Sequence, residues 1–202
     1  MSMAHLIYQD SEILSEARAK YLKLNGLPPD GGVNDRWARY KMGSKVLIAF
    51  PNFRHRVDAI GRHDIHHILK DLDASNLGEG LIGAWELGSG CGRYWISWFM
   101  ESQALIYGLV AAPRRTWAHF LNGRHSRNFF HEPLSEAVFN QSVGSLRAQM
   151  LPSPTQRLTA RARDFIALLA CALLGLVSMA IFVPIATFFS VVGPVFDDHS
   201  RN

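Results

Sequence analysis

Apolar and polar residues repeat with the period of an α-helix over most of the chain. The pattern predicts a first helix that ends at Leu24. It predicts further helices over 57–70, 77–87, 94–112 and 115–121 and near 134–150. Two short segments, 35–40 and 45–50, lie outside these helices. Although 45–50 has the composition of a strand, we expect no sheet. The predicted fold class is therefore all-α: a compact helical domain with a C-terminal transmembrane or re-entrant helix.

The longest apolar run covers 165–189 and contains no charged residue. It is long enough to cross a hydrocarbon core of about 30 Å, so it predicts a membrane segment, which Pro184 would kink or divide into a re-entrant pair. Pro152 and Pro154 mark a linker before it. The predicted organisation is a helical domain over 1–151, a linker over 152–164, a membrane segment over 165–192 and a tail over 193–202.

Charges on either side of the apolar run orient it. Arg157, Arg161 and Arg163 precede the run, and Asp197 and Asp198 follow it. Because basic residues stay on the cytoplasmic side of a membrane, the helical domain is predicted to lie on the cytoplasmic face. The N-terminus lacks the apolar core of a signal peptide, which agrees with this orientation.

A second apolar stretch, 94–112, is interrupted at its centre by Glu101. A carboxylate in the middle of a bilayer is costly, so the stretch predicts a buried or interfacial helix. The alternative is a second span, which would make the loop between the two spans cytoplasmic and leave the residues before 94 outside.

Composition limits the classes of function. The 202 residues are 48% apolar and 19% charged, which allows one domain and a membrane segment. The net charge is +4, but the basic residues are scattered and lie mainly beside apolar stretches, so a membrane surface is favoured over nucleic acid as the partner. Cys91 and Cys171 lie in unlike surroundings, and no disulfide is predicted.

The strongest chemical signal is a cluster of histidines and carboxylates at 63–79. On a helix, His63 and His67 lie one turn apart on the same face, and Asp64 borders that face. Glu79 follows after eleven residues and a polar turn, so it would return to the site from a second helix. These four residues are the predicted metal ligands, Asp64 either as a ligand or as the residue that orients a histidine. His66 points to the other side and is predicted to be a bystander.

Neutral imidazole and carboxylate together suit zinc, Fe(II), manganese or cobalt. A site with three or four protein ligands leaves coordination positions open, as catalytic metal sites do. The rival interpretation is a polar helix face whose histidines only form hydrogen bonds.

The HDxxH motif, with eleven residues and then Glu, resembles the motif of the coenzyme Q (ubiquinone) biosynthesis protein 4 family. Further stretches between Gly31 and Trp117 are similar to bacterial members of that family, namely 31–37, 49–52, 83–87 and 113–117. The resemblance does not extend to the C-terminal part. One departure is the acidic segment 70–73, which stands where relatives have a turn of the Thr-Gly-Tyr type.

The resemblance implies a role in ubiquinone biosynthesis at a bacterial inner membrane, with a prenylated aromatic lipid as substrate, one divalent ion, zinc first, and other quinone-biosynthesis proteins as partners. It implies either metal-dependent replacement of a ring carboxyl group by hydroxyl or a non-catalytic, lipid-binding scaffold. No catalytic residue is assigned beyond the ligands. Arg124 and Arg127 form a basic cluster that we expect to bind an anionic headgroup or to remain solvated.

Two other classes of metalloprotein fit less well. A hydrolase of the HD type needs an additional histidine upstream and a distant aspartate, and Glu79 lies too close to the histidines for it. A di-iron membrane hydroxylase needs several histidine boxes across several spans, whereas this chain has one.

Overall fold

A computed structural model describes residues 6–42, 46–153, 155–156 and 158–197. The protein is mostly helical, which confirms the predicted fold class. The helices are α1 (Leu14–Leu24), α2 (Arg54–Lys70), α3 (Asn76–Ser89), α4 (Trp95–Ala111), α5 (Pro113–Gly123), α6 (Glu136–Phe139), α7 (Val143–Met150) and α8 (Ala162–Asp197). Pro154, Arg157 and Asp198, on which parts of the linker and orientation predictions rest, lie outside the described residues.

A two-stranded antiparallel hairpin interrupts the helical order. Strand β1 (Trp37–Met42) pairs with β2 (Val46–Pro51), with Trp37 opposite Pro51. The expectation that no sheet forms was wrong, because the strand-like segment 45–50 finds its partner in the segment just before it and lies against α8. Such a hairpin is marginal alone and is stable only when packed on another element.

The predicted helix near 134–150 is in fact two helices. Ser142 accepts a hydrogen bond from the backbone N–H of Ser145 at 3.2 Å and so starts α7 as a new helix. Side chains such as serine compete for backbone groups and favour helix starts over helix interiors, which explains the break.

The turn between α2 and α3 brings Glu79 back towards the histidines. Asp71 ends α2 in the left-handed conformation with φ 54°, and Ser75 begins α3 by accepting a hydrogen bond from the N–H of Gly78 at 3.1 Å. Arg147 of α7 donates to the carbonyl oxygens of Ile68 and Leu69 at 2.9 and 3.0 Å. The last turn of α2 therefore has its exposed carbonyl groups satisfied and is held in place.

Helices α3 and α5 approach each other so closely that only glycine fits at the contact. A Cβ atom on Gly123 would lie 2.2 Å from the carbonyl oxygen of Trp85, and one on Gly88 would lie 2.3 Å from that of Phe120. Trp85 and Phe120 are themselves buried in the core. This contact fixes α3, which carries the acidic residues of the site described below.

Helix α8 is the one helix among the described residues that is long and apolar enough to cross a membrane, over Ala162–Ile185. It runs without a break through Pro184, so the re-entrant pair does not form. One face packs against α4, and most of its other large apolar side chains are exposed. The structure thus gives weak support to membrane association.

We expect Gly123→Ala to lower the free energy of unfolding by about 1–3 kcal/mol, because the added methyl group overlaps the backbone of α3. Chemical denaturation in detergent micelles, followed by circular dichroism, measures the change. The matched control is Gly61→Ala in α2, where a Cβ meets nothing within 4 Å. That change should stabilise the protein by roughly 0.5–1 kcal/mol; equal effects of the two substitutions would contradict the packing argument.

Candidate metal centre

Three of the four predicted ligands converge. The Nε2 atoms of His63 and His67 lie 3.1 Å apart on α2. Glu79 on α3 places one carboxylate oxygen 3.2 Å from His63 Nε2 and the other 3.4 Å from His67 Nε2. The i, i+4 spacing gives the histidine pair, and the turn between α2 and α3 gives the carboxylate.

These separations fit a bound metal ion. Bonds of about 2.0–2.1 Å in a tetrahedron put neighbouring ligand atoms roughly 3.3–3.4 Å apart. Two imidazole nitrogens that face each other cannot both present lone pairs without a proton or a cation between them. The donor set of two imidazoles and one carboxylate is one that zinc and Fe(II) accept, and it leaves at least one coordination position open.

Asp64 lies beside this cluster and forms an ion pair. Its carboxylate accepts a hydrogen bond from Arg18 at 3.0 Å, and both groups approach Gly31, where φ is +74°. Burial raises the pKa of Asp64, opposed by the positive charges of His63 and Arg18. The Asp64 carboxylate is thus neutralised by α1, and its role as a ligand stays a prediction.

Glu86, two turns after Glu79 on α3, is a member of the site that the sequence analysis missed. One carboxylate oxygen accepts from His63 Nδ1 at 3.1 Å and from His66 Nδ1 at 2.6 Å. Metal-binding histidines usually donate their second N–H to such a carboxylate, which fixes the ring and leaves the other nitrogen free for the metal. The spacing of seven residues on one helix face was the signal that could have identified Glu86.

His66 is more than a bystander because it holds Glu86 in place. The backbone N–H of Phe129 donates to His66 Nε2 at 2.9 Å, so the proton of the neutral ring resides on Nδ1 and points at Glu86. Burial lowers the pKa of His66, which keeps the ring neutral. His66 is completely buried between Trp85 and the Phe129–Phe130 segment.

Glu101 on α4 is the second missed member. Its carboxylate lies 3.5 Å from His63 Nδ1, on the same side of the ring as Glu86. Burial and the neighbouring Glu86 carboxylate raise the pKa of Glu101 well above its ordinary value. The sequence marked Glu101 as a costly interruption of an apolar helix, and the structure gives the reason it is tolerated: it faces the site rather than lipid.

The carboxylates determine the protonation of His63. Burial lowers the pKa of His63, but Glu86, Glu101 and Glu79 outweigh this effect and raise it well above 6.5 in the metal-free protein. For Glu79, burial raises the pKa, and the interactions with His67 and His63 outweigh it and lower the pKa below its ordinary value. The cluster therefore attracts a positive charge, either a proton or a metal ion.

The site has one open side. The Glu79 side chain is 37% exposed, whereas that of His67 is completely buried and packs against the ring of Tyr21 with centroids 5.3 Å apart. A ligand from outside would reach the metal position past Glu79.

Arg124 and Arg127, the predicted headgroup residues, have protein partners. Arg124 pairs with Asp164 at 3.1 Å and so ties the end of α5 to the start of α8, and Arg127 pairs with Glu132. Their role in headgroup binding stays a prediction.

Comparisons with known proteins do not assign a family. No family model, no curated protein and no solved structure matches this chain. The metal centre therefore rests on its own geometry.

We expect Glu86→Gln to weaken metal binding about 10–100-fold, because an amide cannot accept from His63 and His66 with the strength of a carboxylate. Competition with a chromophoric chelator measures the affinity. Glu16→Gln, an exposed position on α1, is the matched control and should bind as the wild type does. Unchanged affinity in Glu86→Gln would remove Glu86 from the site.

We expect the metal-free protein to lose stability as the pH rises from about 6.5. The raised pKa of His63 means that its stabilising protonation is complete below the unfolded value and is lost as the pH passes through the folded value. The raised pKa of Glu101 acts in the same direction. The measurement is the free energy of unfolding in the presence of a chelator across this range. Added divalent metal should remove the decrease, because the cation replaces the proton; a rise in stability with chelator present would contradict the assignment.

Proposed function

We propose that this protein is a metal-dependent enzyme of ubiquinone biosynthesis that removes the ring carboxyl group of a prenylated hydroxybenzoate-type lipid, with hydroxylation at the same carbon. The observation that carries the proposal is the convergence of His63, His67 and Glu79 on one point with an open side. The same residues carry the resemblance to the coenzyme Q biosynthesis protein 4 family.

The site would attract an anionic headgroup only when a cation is bound. Glu79, Glu86 and Glu101 surround His63, so the metal-free site would repel a carboxylated ring. A divalent ion held by His63, His67 and Glu79 would bind the headgroup carboxylate and phenolic oxygen and stabilise negative charge on the ring as CO₂ leaves. A redox-active ion would also activate O₂ as the two-electron oxidant, so that the ring acid, O₂ and water would give the phenol, CO₂ and H₂O₂.

The chain's own residues keep the histidines ready for that role. Glu86 fixes the ring of His63, and His66 fixes Glu86. Tyr21 packs against the buried ring of His67. Pre-positioned ligands lose little freedom when the metal and substrate bind, which favours both steps.

The proposed location is the cytoplasmic face of a bacterial inner membrane. A prenylated precursor is held in the bilayer by its tail, and the exposed apolar face of α8 offers a means of membrane association. Fe(II), manganese and cobalt suit these donors and can pass electrons to O₂, the oxidant that the hydroxylation requires, whereas zinc, the ion that the resemblance favours first, is redox-inert and would support decarboxylation alone.

A scaffold function remains as a second candidate because the site also joins two helices. His63 and His67 lie on α2 and Glu79 lies on α3, so a metal ion would act as a cross-link between them. In a lipid-binding scaffold the metal would stabilise the fold, and the protein would organise partner enzymes without catalysing a reaction.

The test is mass spectrometry of quinones and their precursors in cells that lack the gene, complemented with wild type, Glu79→Ala or His67→Ala. We expect a carboxylated prenyl-ring precursor to accumulate and only the wild type to restore the quinone, because each variant loses a ligand. Glu16→Ala is the control and should complement fully. An unchanged quinone pool in the deleted cells would refute the proposal.

Metal content and stability of the purified variants separate the two candidates. An enzyme predicts that Glu79→Ala loses metal and activity but still folds, with a thermal unfolding temperature close to that of the metal-free wild type. A scaffold predicts that the same variant unfolds at a much lower temperature or fails to fold.

A further inference from the structure

Helix α8 has a narrow packed face that extends along nearly the whole apolar segment. Near its start, Asp164 pairs with Arg124 and Phe165 stacks on Trp117 with ring centroids 4.3 Å apart. Near the other end of the candidate span Ala162–Ile185, Phe182 meets Phe99 of α4 with ring centroids 5.8 Å apart. The helical domain therefore lies alongside α8 rather than below one end of it.

The middle of α8 is equally close to α4. A Cβ on Gly175 would lie 2.2 Å from the carbonyl oxygen of Ser102, and the hydroxyl of Ser178 lies 3.4 Å from that of Ser102. Since position 182 meets 99 and position 175 meets 102, the two helices run antiparallel. Helices α4 and α8 therefore form a closely packed pair, and separating them would expose the contact surfaces of both helices.

Outside the packed face, most side chains of α8 whose exposure the structure describes are apolar and exposed. Ile166 and Leu169 are 67% and 68% exposed, and the other large side chains on this surface are Leu173, Leu174, Leu176, Val177, Ile181, Val183, Ile185 and Phe188. Water-soluble monomers rarely expose so large a continuous apolar surface, so this surface requires a lipid or protein partner.

Charged residues of the helical domain lie near both ends of the apolar part of α8, which conflicts with an orientation of α8 across the membrane. The exposed Arg114 and Arg115 begin α5, which meets the start of α8 through Trp117 and Phe165. Arg54 and His55 begin α2 near Phe182, because Phe53 and Phe182 both pack against Ala38. If α8 crossed the bilayer, one compact domain would have charged groups on both sides and its polar surface at hydrocarbon depth. Such a surface has no partners there.

We propose that α8 lies in the plane of the membrane, with its exposed face immersed at the lipid boundary and its packed face covered by the helical domain. This arrangement replaces the span that hydropathy alone predicts. Charge complementarity favours a bilayer with anionic lipids as the occupant, because Arg161 and Arg163 are exposed at the start of α8 and Arg114 and Arg115 lie nearby.

The arrangement also places the metal centre close to the membrane. Ser102, which contacts α8, is the direct neighbour of Glu101, whose carboxylate faces His63. One helix layer, about 10 Å, therefore separates the immersed helix from the site. The inference stands whether or not the proposed function is correct, because it depends on packing alone.

Reporter fusions test the orientation in the full chain. Alkaline phosphatase, which is active only outside the cytoplasm, and green fluorescent protein, which is fluorescent only inside it, are fused in turn after Asn202 and before Met1. The in-plane helix keeps both ends on the same side, so both positions should give fluorescence and no phosphatase activity. Active phosphatase after Asn202 together with fluorescence before Met1 would overturn the proposal in favour of a span.

Vesicle flotation tests whether a bilayer with anionic lipids covers the exposed face of α8. The purified protein should float with vesicles that contain phosphatidylglycerol and less with pure phosphatidylcholine. The double substitution Leu169→Glu and Leu173→Glu should reduce the bound fraction about tenfold or more, since charged groups are excluded from hydrocarbon. Leu24→Glu, at an exposed leucine on α1, is the matched control and should float normally. A wild-type protein that stays unbound as a dimer would overturn the proposal and assign this face to a second copy.

Discussion

The balance of charge around His63 is the constraint on which the site depends. Three glutamate side chains, from α3 and α4, approach one imidazole ring from two sides. Their partners within the described site are histidines, which carry a positive charge only when protonated. Buried carboxylates are stable only when paired or neutralised, so the cluster must hold protons or a cation. The tight glycine contacts between α3 and α5 serve this cluster, because they fix the helix that carries Glu79 and Glu86.

A chain of hydrogen bonds leads from the core to His63, and each residue in the chain orients the next. Phe129 fixes the tautomer of His66 through its backbone N–H, His66 fixes Glu86, and Glu86 fixes His63. Because each bond removes a degree of freedom from the ring, the nitrogen that faces the metal position has one orientation. Arg147 contributes from outside by closing the end of α2. The site is therefore built into the core rather than placed on a loop.

Helix α4 connects this core to the apolar helix. Its Glu101 faces the site, and the next residue, Ser102, which lies about 100° further round the helix, receives Gly175 and Ser178 of α8. With α8 in the membrane plane, as proposed, a membrane-held substrate would approach the site without leaving the lipid surface entirely.

The sequence by itself determined the helices, the apolar length of α8 and the pair His63 and His67 with Glu79, because each of these depends on local period and spacing. Only the tertiary structure decided that Glu86 and Glu101 join the site and that Asp64 pairs with Arg18, since these contacts join residues from different helices. The composition of 45–50 indicated a strand, but its pairing with 37–42 could not be predicted locally, because pairing and support by α8 stabilise the hairpin more than its own composition does. Hydropathy measures how apolar α8 is, but which of its faces is covered depends on packing.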